Sequence, residues 1–160
     1  MKSYHILDCN KQQKIADSLY GYYVGITANR ELKFFWNHLS RKEIQEYFSM
    51  PNNPCKEWFD SLGLKIRDMS FTIYNEDIGT DIHRDEPPVV AKINFPVLNT
   101  KDTYNVWFDD YANEIDRVEC DKPIVLRSDI LHTVEIGKNA KYPRLQFSFC
   151  FYNEPLHLLK

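Results

Sequence analysis

The sequence predicts a mostly β protein, a β-sandwich or a jelly roll, with N-terminal helices packed outside it. Two observations carry this prediction. Apolar residues recur at helical spacing up to Gly63, and beyond it they alternate with polar residues in short runs separated by polar turns. The 160 residues suffice for one domain with its own core. We divide them into mainly helical support at 1–63, a β core at 64–152 and a C-terminal tail at 153–160.

Four segments of the first part carry helical spacing or helix-start signals. They are Asn10–Tyr20, Ala28–Leu39, Ser40–Phe48 and Pro54–Leu62. The third opens with Ser40 and, three residues later, Glu43, which is the pair of a capping box. Pro54 at the start of the fourth and Gly63 after its end are typical of helix boundaries.

Alternation after Gly63 predicts six strands. They are Leu64–Tyr74, Val89–Leu98, Thr103–Phe108, Pro123–Leu126, Thr133–Ile136 and Arg144–Tyr152. Residues 99–102 and 137–141 are predicted hairpin loops. In the last strand, Arg144, Gln146 and Ser148 fall on one face, and the intervening residues are Leu and Phe. One face of this strand is therefore expected in the apolar core, and the other lines a polar interior.

Composition excludes or disfavours several classes of function. The net charge is −3, and no long block of like charge provides a footprint for nucleic acid, which disfavours that partner. Five glycines form no phosphate-binding motif. The start lacks an apolar signal core and no apolar run is long enough for a membrane span. The four widely spaced cysteines favour reduced thiols in a cytoplasmic protein over a disulfide or thiolate metal site.

Three residues are candidate metal ligands. His83 and Asp85 are two positions apart, so on an extended segment both side chains point the same way. His132 follows a Ser-Asp turn at the start of a predicted strand. Two imidazoles and one carboxylate form the set that holds Fe(II) on one face and leaves three positions open. The alternatives are a polar turn after Gly79 and a histidine that is merely solvated or satisfied in the core.

Arg144 is the candidate anion-binding residue. An arginine that faces a buried interior must meet an anion, because an unpaired buried charge is costly, and its planar fork suits a carboxylate. The alternative is a structural ion pair with Asp or Glu. Tyr104, on the Thr103–Phe108 strand, is either a core aromatic or a second donor to the bound carboxylate.

Taken together, His83, Asp85, His132 and Arg144 resemble the Fe(II)/2-oxoglutarate-dependent dioxygenase superfamily in their order and spacing. The stretches 91–99 and 103–108 are similar to small phage or bacterial members described as prolyl-hydroxylase-like or aspartyl/asparaginyl-hydroxylase-like. The resemblance covers roughly residues 64–152. It implies a double-stranded β-helix core, which is a jelly-roll variant related to cupins.

The resemblance also implies roles for these residues. His83, Asp85 and His132 would ligate iron, and Arg144 would bind the distal carboxylate of 2-oxoglutarate. Many relatives carry Ser or Thr two residues after that arginine. Here the position is Gln146, and a hydroxyl comes only at Ser148, so either could supply the second contact.

Arg127 is a rival basic residue for the cosubstrate. The implied reaction uses O2 and releases succinate and CO2 while a protein side chain, an amino acid or a small metabolite is hydroxylated. The implied location is the cytoplasm of a bacterium or of a phage-infected cell.

Two other classes of protein remain open. One is a cupin-type enzyme or isomerase with the same barrel and another metal set. The other is a non-catalytic jelly-roll module, virion-associated or sugar-binding, in which the His-x-Asp pattern is incidental. Metal content separates these alternatives. The iron site and fold are shared across many substrates, so they do not choose among them.

Overall fold

The computed structural model describes residues 2–28, 30–32, 35–87 and 89–159. Within these ranges the chain is mostly β, with three α-helices and a short C-terminal 3-10 helix at Pro155–Leu158. The helices are α1 (Gln12–Thr27), α2 (Arg41–Phe48) and α3 (Pro54–Ser61). The strands are β1 (Tyr4–Ile6), β2 (Trp36–His38), β3 (Ile66–Tyr74), β4 (Ala91–Leu98), β5 (Thr103–Phe108), β6 (Glu114–Glu119), β7 (Ile124–Arg127), β8 (His132–Ile136) and β9 (Arg144–Phe151).

The strands form two antiparallel sheets. The larger sheet has six strands in the order β1-β7-β4-β9-β3-β2, and the smaller has three in the order β6-β5-β8. An isolated antiparallel bridge between His83 and His132 adds the segment around residue 83 alongside β8. Strands distant in the sequence are thus neighbours in both sheets.

One face of the six-stranded sheet packs against the helices and forms the main hydrophobic core. Phe147 and Phe149 of β9 are fully buried there with Ile15 and Leu19 of α1 and Phe59 of α3. The rings of Phe59 and Phe149 lie 4.8 Å apart, edge to face. Burial of one such side chain stabilises the fold by roughly 1.5–3 kcal/mol. The predicted apolar face of the last strand is confirmed.

The other face of the six-stranded sheet looks toward the three-stranded sheet. Tyr4 of β1 stacks on Trp107 of β5 at 5.3 Å between ring centroids, and Trp107 Nε1 donates to the Arg127 carbonyl at 3.0 Å. Arg144 of β9 reaches across to Thr103 of β5. The space between the sheets therefore holds polar side chains and a fully buried arginine.

The N-terminal prediction was partly wrong. The helix predicted at 28–39 is absent from the described part of that segment, where Trp36–His38 instead forms an edge strand with Trp36 opposite Thr72. Residues 29, 33 and 34 lie outside the described residues. Apolar residues three and four apart fit a helix locally, but the open hydrogen-bonding edge of β3 determines the outcome.

Other boundaries differ more modestly. Helix α1 begins at Gln12 after Lys11, without the side-chain cap predicted at Asn10, and it continues to Thr27. Strands β1 and β6 were not predicted, because one is three residues long and the other is largely polar. The predicted capping box is confirmed: Ser40 accepts from the Glu43 amide and the Glu43 side chain accepts from the Ser40 amide. No helix in the described ranges is both long and apolar enough to cross a bilayer.

Candidate metal centre and its buried arginine

Backbone hydrogen bonds bring the three predicted metal ligands together. His83 and His132 exchange amide-to-carbonyl bonds of 3.0 and 2.9 Å, and the Asp85 amide donates to the Ser128 carbonyl at 2.8 Å. The extended segment is thereby fixed along β8. Its alternation places His83 and Asp85 on the same face, while Arg84 between them pairs with Asp110.

The ligand atoms of His83, Asp85 and His132 all lie within 4.8 Å of one another. Asp85 Oδ1 is 3.7 Å from His83 Nε2 and 3.6 Å from His132 Nε2. His132 is buried, Asp85 is partly buried, and His83 is exposed at the mouth of the site. One nitrogen of each ring and one carboxylate oxygen therefore face a common point.

The other nitrogen of each imidazole is held by the backbone. His83 Nδ1 lies 2.9 Å from the Asp81 carbonyl oxygen, and His132 Nδ1 lies 2.7 Å from that of Ile130. A carbonyl oxygen only accepts, so these contacts assign the proton to Nδ1 and leave the Nε2 lone pair free to bind a metal. Such backbone partners fix the ring orientation of metal-binding histidines.

Lys92 of β4 adds a cation that sequence analysis missed. Its Nζ donates to Asp85 Oδ2 at 2.6 Å, and both side chains are largely buried. Burial alone would raise the pKa of the Asp85 carboxyl. The nearby His132 imidazole and the Lys92 ammonium outweigh burial and bring that pKa well below its usual range. A lysine within the otherwise largely apolar strand Ala91–Leu98 was the available signal.

Arg144 is fully buried between the sheets. Its Nε donates to Thr103 Oγ1 at 3.1 Å, its Nη2 donates to Gln146 Oε1 at 3.2 Å, and its guanidinium lies 5.3 Å from the Tyr74 ring centroid. Its Nη1 has no hydrogen-bond partner among the described residues, and no carboxylate there forms an ion pair with it. A buried cation with an open donor fits an acidic small molecule that binds between the sheets.

Two further predicted residues lie on β9. Gln146 and Ser148 are on the same face of that strand as Arg144. Gln146 accepts from the guanidinium, and Ser148 Oγ donates to Asn94 Oδ1 at 2.7 Å. Sequence reasoning missed Thr103 and Tyr74 as partners of Arg144, because their contacts cross between strands.

The suggestion that Tyr104 faces the pocket requires correction. Thr103 points inward to Arg144, so its neighbour on β5 points to the opposite face. There the Tyr104 hydroxyl donates to Asp102, and the Arg117 guanidinium lies over its ring. The rival cation Arg127 is bound by Asp129 at 2.8 Å and 2.6 Å.

No cysteine in the described ranges belongs to the cluster of three candidate ligands. All four are free, with Cys55 and Cys120 buried and Cys9 and Cys150 partly buried. A cavity of about 570 Å³ opens elsewhere, between the start of α1 and the β4–β5 hairpin, and its lining includes Gln12 and Asn99. It contains neither the three ligands nor Arg144, so its volume does not mark the candidate centre.

Comparison with known proteins finds similarity in structure only. No family model matches the chain, and no curated protein matches it in sequence. EvdMO1 superposes with a TM-score of 0.58 at 9% identity, over 95% of this chain and 47% of that one. This chain thus spans about half the length of EvdMO1.

Two hydroxylases cover this chain almost completely. The viral collagen prolyl hydroxylase vCPH from Paramecium Bursaria Chlorella virus-1 has a TM-score of 0.57 at 12% identity, over 94% of this chain and 90% of that one. A Pseudomonas putida prolyl-4-hydroxylase has a TM-score of 0.53 at 12% identity, over 94% and 93%. At these identities the likeness is one of fold.

Proposed function

We propose that this chain is a non-haem Fe(II) and 2-oxoglutarate-dependent oxygenase that hydroxylates an organic substrate. The observation that carries the proposal is the pairing of two features in one interior. Three convergent ligand atoms suit a divalent metal, and the buried Arg144 has an open donor that suits a carboxylate. Residues on one face of β5 approach both, since Trp107 pairs with His132 and Thr103 contacts Arg144.

Strand order supports a double-stranded β-helix core. Strands β7, β4, β9 and β3 are consecutive in the larger sheet, and β6, β5 and β8 continue to the segment at His83 in the smaller. Apart from the β5–β6 hairpin, successive strands from β3 to β9, with the segment at His83, thus alternate between two facing sheets, as in a jelly roll. The fold likeness to two prolyl hydroxylases supports the same proposal.

In this proposal His83, Asp85 and His132 hold the iron, and two nitrogens with one carboxylate oxygen are its suitable donor set. Arg144 binds the distal carboxylate of 2-oxoglutarate through Nη1, while Thr103 and Gln146 hold the guanidinium in place. With the iron bound, 2-oxoglutarate, O2 and a C–H bond give succinate, CO2 and an alcohol. The protein supplies ligand geometry, cosubstrate orientation and a shielded interior.

We further propose a peptide side chain or a small metabolite as the substrate. His83 has 47% of its side chain exposed, so the metal-binding end of the interior faces solvent and admits a substrate from outside. The net charge of −3 provides no general attraction for nucleic acid.

One contact favours a second function, a non-catalytic binding module. The Lys92 ammonium lies 2.6 Å from Asp85, so it neutralises the carboxylate that the proposed metal needs. In such a module the ammonium takes the place of the metal, and neither iron nor 2-oxoglutarate binds.

An anaerobic titration of metal-free protein with Fe(II) and 2-oxoglutarate separates the two functions. The oxygenase predicts a visible charge-transfer band that requires iron, 2-oxoglutarate and His132 together, followed by succinate formation when O2 is admitted. His132→Ala is the negative control, and His38→Ala is the matched control, because His38 lies outside the three-residue cluster. Absence of the band together with absence of bound iron would refute the oxygenase.

A further inference from the structure

We propose that Lys92 is a positioning residue that makes Asp85 a one-oxygen ligand. It holds Oδ2 of the carboxylate, so that only Oδ1 is offered to the metal. The inference rests on the metal site of the proposed function and adds a residue to it.

The two oxygens of Asp85 face different partners. Oδ1 lies within 3.7 Å of Nε2 of both His83 and His132. Oδ2 accepts a hydrogen bond of 2.6 Å from Lys92 Nζ. The carboxylate plane is therefore oriented from both ends, by the imidazoles on one side and by the ammonium on the other.

The Lys92 side chain starts from a central strand and is largely buried. Lys92 lies within β4, where it pairs with Leu126 of β7 in the middle of the six-stranded sheet. Only 17% of its side chain is exposed, against 23% for Asp85. Asp85 is its ion-pair partner among the described residues, and a partly buried pair is screened by solvent less than a surface pair.

The number of oxygens that Asp85 offers decides how many metal positions remain open. A facial triad of single-atom ligands leaves three. A carboxylate that binds through both oxygens occupies one of these, which leaves room for a chelating 2-oxo acid but none for a further small ligand. By engaging Oδ2, Lys92 preserves the third position.

The test counts waters on Mn(II) bound to the protein, by pulsed electron paramagnetic resonance in D2O without 2-oxoglutarate. Lys92→Met removes the donor at similar side-chain length, and Lys92→Arg retains a cationic donor. Lys138→Met, at an exposed lysine in the β8–β9 loop, is the matched control. We expect Lys92→Met to hold one bound water fewer than wild type, and Lys92→Arg and Lys138→Met to hold the wild-type number.

A second readout separates positioning from general structural support. Lys92→Met should bind 2-oxoglutarate with little change in affinity, while the rate of O2-dependent succinate formation falls about 10- to 100-fold. A misfolded protein would instead lose both its affinity for 2-oxoglutarate and its rate of succinate formation. Rescue of that rate by Lys92→Arg supports the inference.

Three results would overturn the inference, and each has a different consequence for the proposed function. An unchanged water count in Lys92→Met removes the role of Lys92 and leaves the oxygenase intact. Mn(II) binding by Lys92→Met but not by wild type identifies the ammonium as a substitute for the metal, against both proposals. Failure of every variant to bind Mn(II) removes the metal centre itself. A lost water in Lys92→Met, with no succinate from wild type, supports the positioning role and refutes the oxygenase.

Discussion

Replacement of Arg144 by methionine isolates the proposed cosubstrate site from the proposed metal site. Methionine keeps much of the side-chain volume and removes the charge. We expect Arg144→Met to bind Mn(II) like wild type, since the three ligands lie on other segments, and to lose affinity for 2-oxoglutarate. The ligand-free protein should change little in stability, because removal of a buried unpaired charge, which costs several kcal/mol, offsets the lost contacts.

The size of the expected loss in 2-oxoglutarate affinity follows from the N–H donors of Arg144 that have no partner among the described residues. A guanidinium has five N–H groups, and the contacts to Thr103 and Gln146 use Nε and Nη2. Nη1 is free to meet a carboxylate. Truncation of one partner of a buried charge pair costs about 2–5 kcal/mol, so the Kd for 2-oxoglutarate should rise roughly 30-fold to several thousand-fold.

Anaerobic calorimetry of the Mn(II)-loaded proteins measures this change. 2-Oxobutanoate lacks the distal carboxylate of 2-oxoglutarate. Wild type should therefore bind 2-oxoglutarate more tightly than 2-oxobutanoate by about the factor given for the rise in Kd, whereas Arg144→Met should bind the two acids with similar Kd. Arg127→Met is the matched control, because Asp129 already binds that guanidinium. Equal discrimination between the two acids by wild type and Arg144→Met would refute the reasoning, and a loss seen only in Arg127→Met would transfer the role to Arg127.

Three further predictions concern the ligands and one helix. His132→Ala should bind no Mn(II) at concentrations that saturate wild type, whereas His38→Ala should bind Mn(II) normally. Equilibrium dialysis measures both, and normal Mn(II) binding by His132→Ala would exclude His132 as a ligand. The pKa of Asp85 is lowered in the folded chain, because His132 and Lys92 outweigh burial, so its stabilising contribution exists above the ordinary carboxyl pKa of about 4 and is lost as pH falls through the lowered value. The Tm of metal-free wild type should therefore fall more steeply on the acid side than that of Asp85→Asn, and parallel curves would contradict this. Ser40→Ala should lower the free energy of unfolding in urea by about 1 kcal/mol through loss of the α2 cap. Ser49→Ala, at an exposed serine, should change that free energy by no more than about 0.5 kcal/mol. Equal losses in the two variants would show that the cap contributes nothing specific.

Alternation predicted the polar face of β9 because its cause is local. Residues two apart on a strand share a face whatever the strand pairs with, so Arg144, Gln146 and Ser148 could be grouped before any fold was known. The same rule placed His83 and Asp85 together. The capping box of α2 was likewise predictable, since both of its hydrogen bonds lie within four residues.

Pairing across strands could not be read from the sequence. Trp36–His38 fits a helix by spacing, and only the edge of β3, some thirty residues later in the chain, makes it a strand. For Tyr104 the strand itself was predicted correctly. The sequence did not show which face of that strand points to the interior. Thr103, its neighbour, holds Arg144 instead.

The candidate centre depends on this pairing more than on any single motif. His83 and Asp85 come from an extended segment that belongs to neither sheet until it bridges to His132. Lys92 reaches Asp85 from the opposite, six-stranded sheet. The carboxylate is therefore held between two layers, with one oxygen toward each. A metal bound at Oδ1 would be coupled through this one side chain to the six-stranded sheet, so the chemistry proposed at Asp85 would depend on a lysine that no metal-binding motif includes.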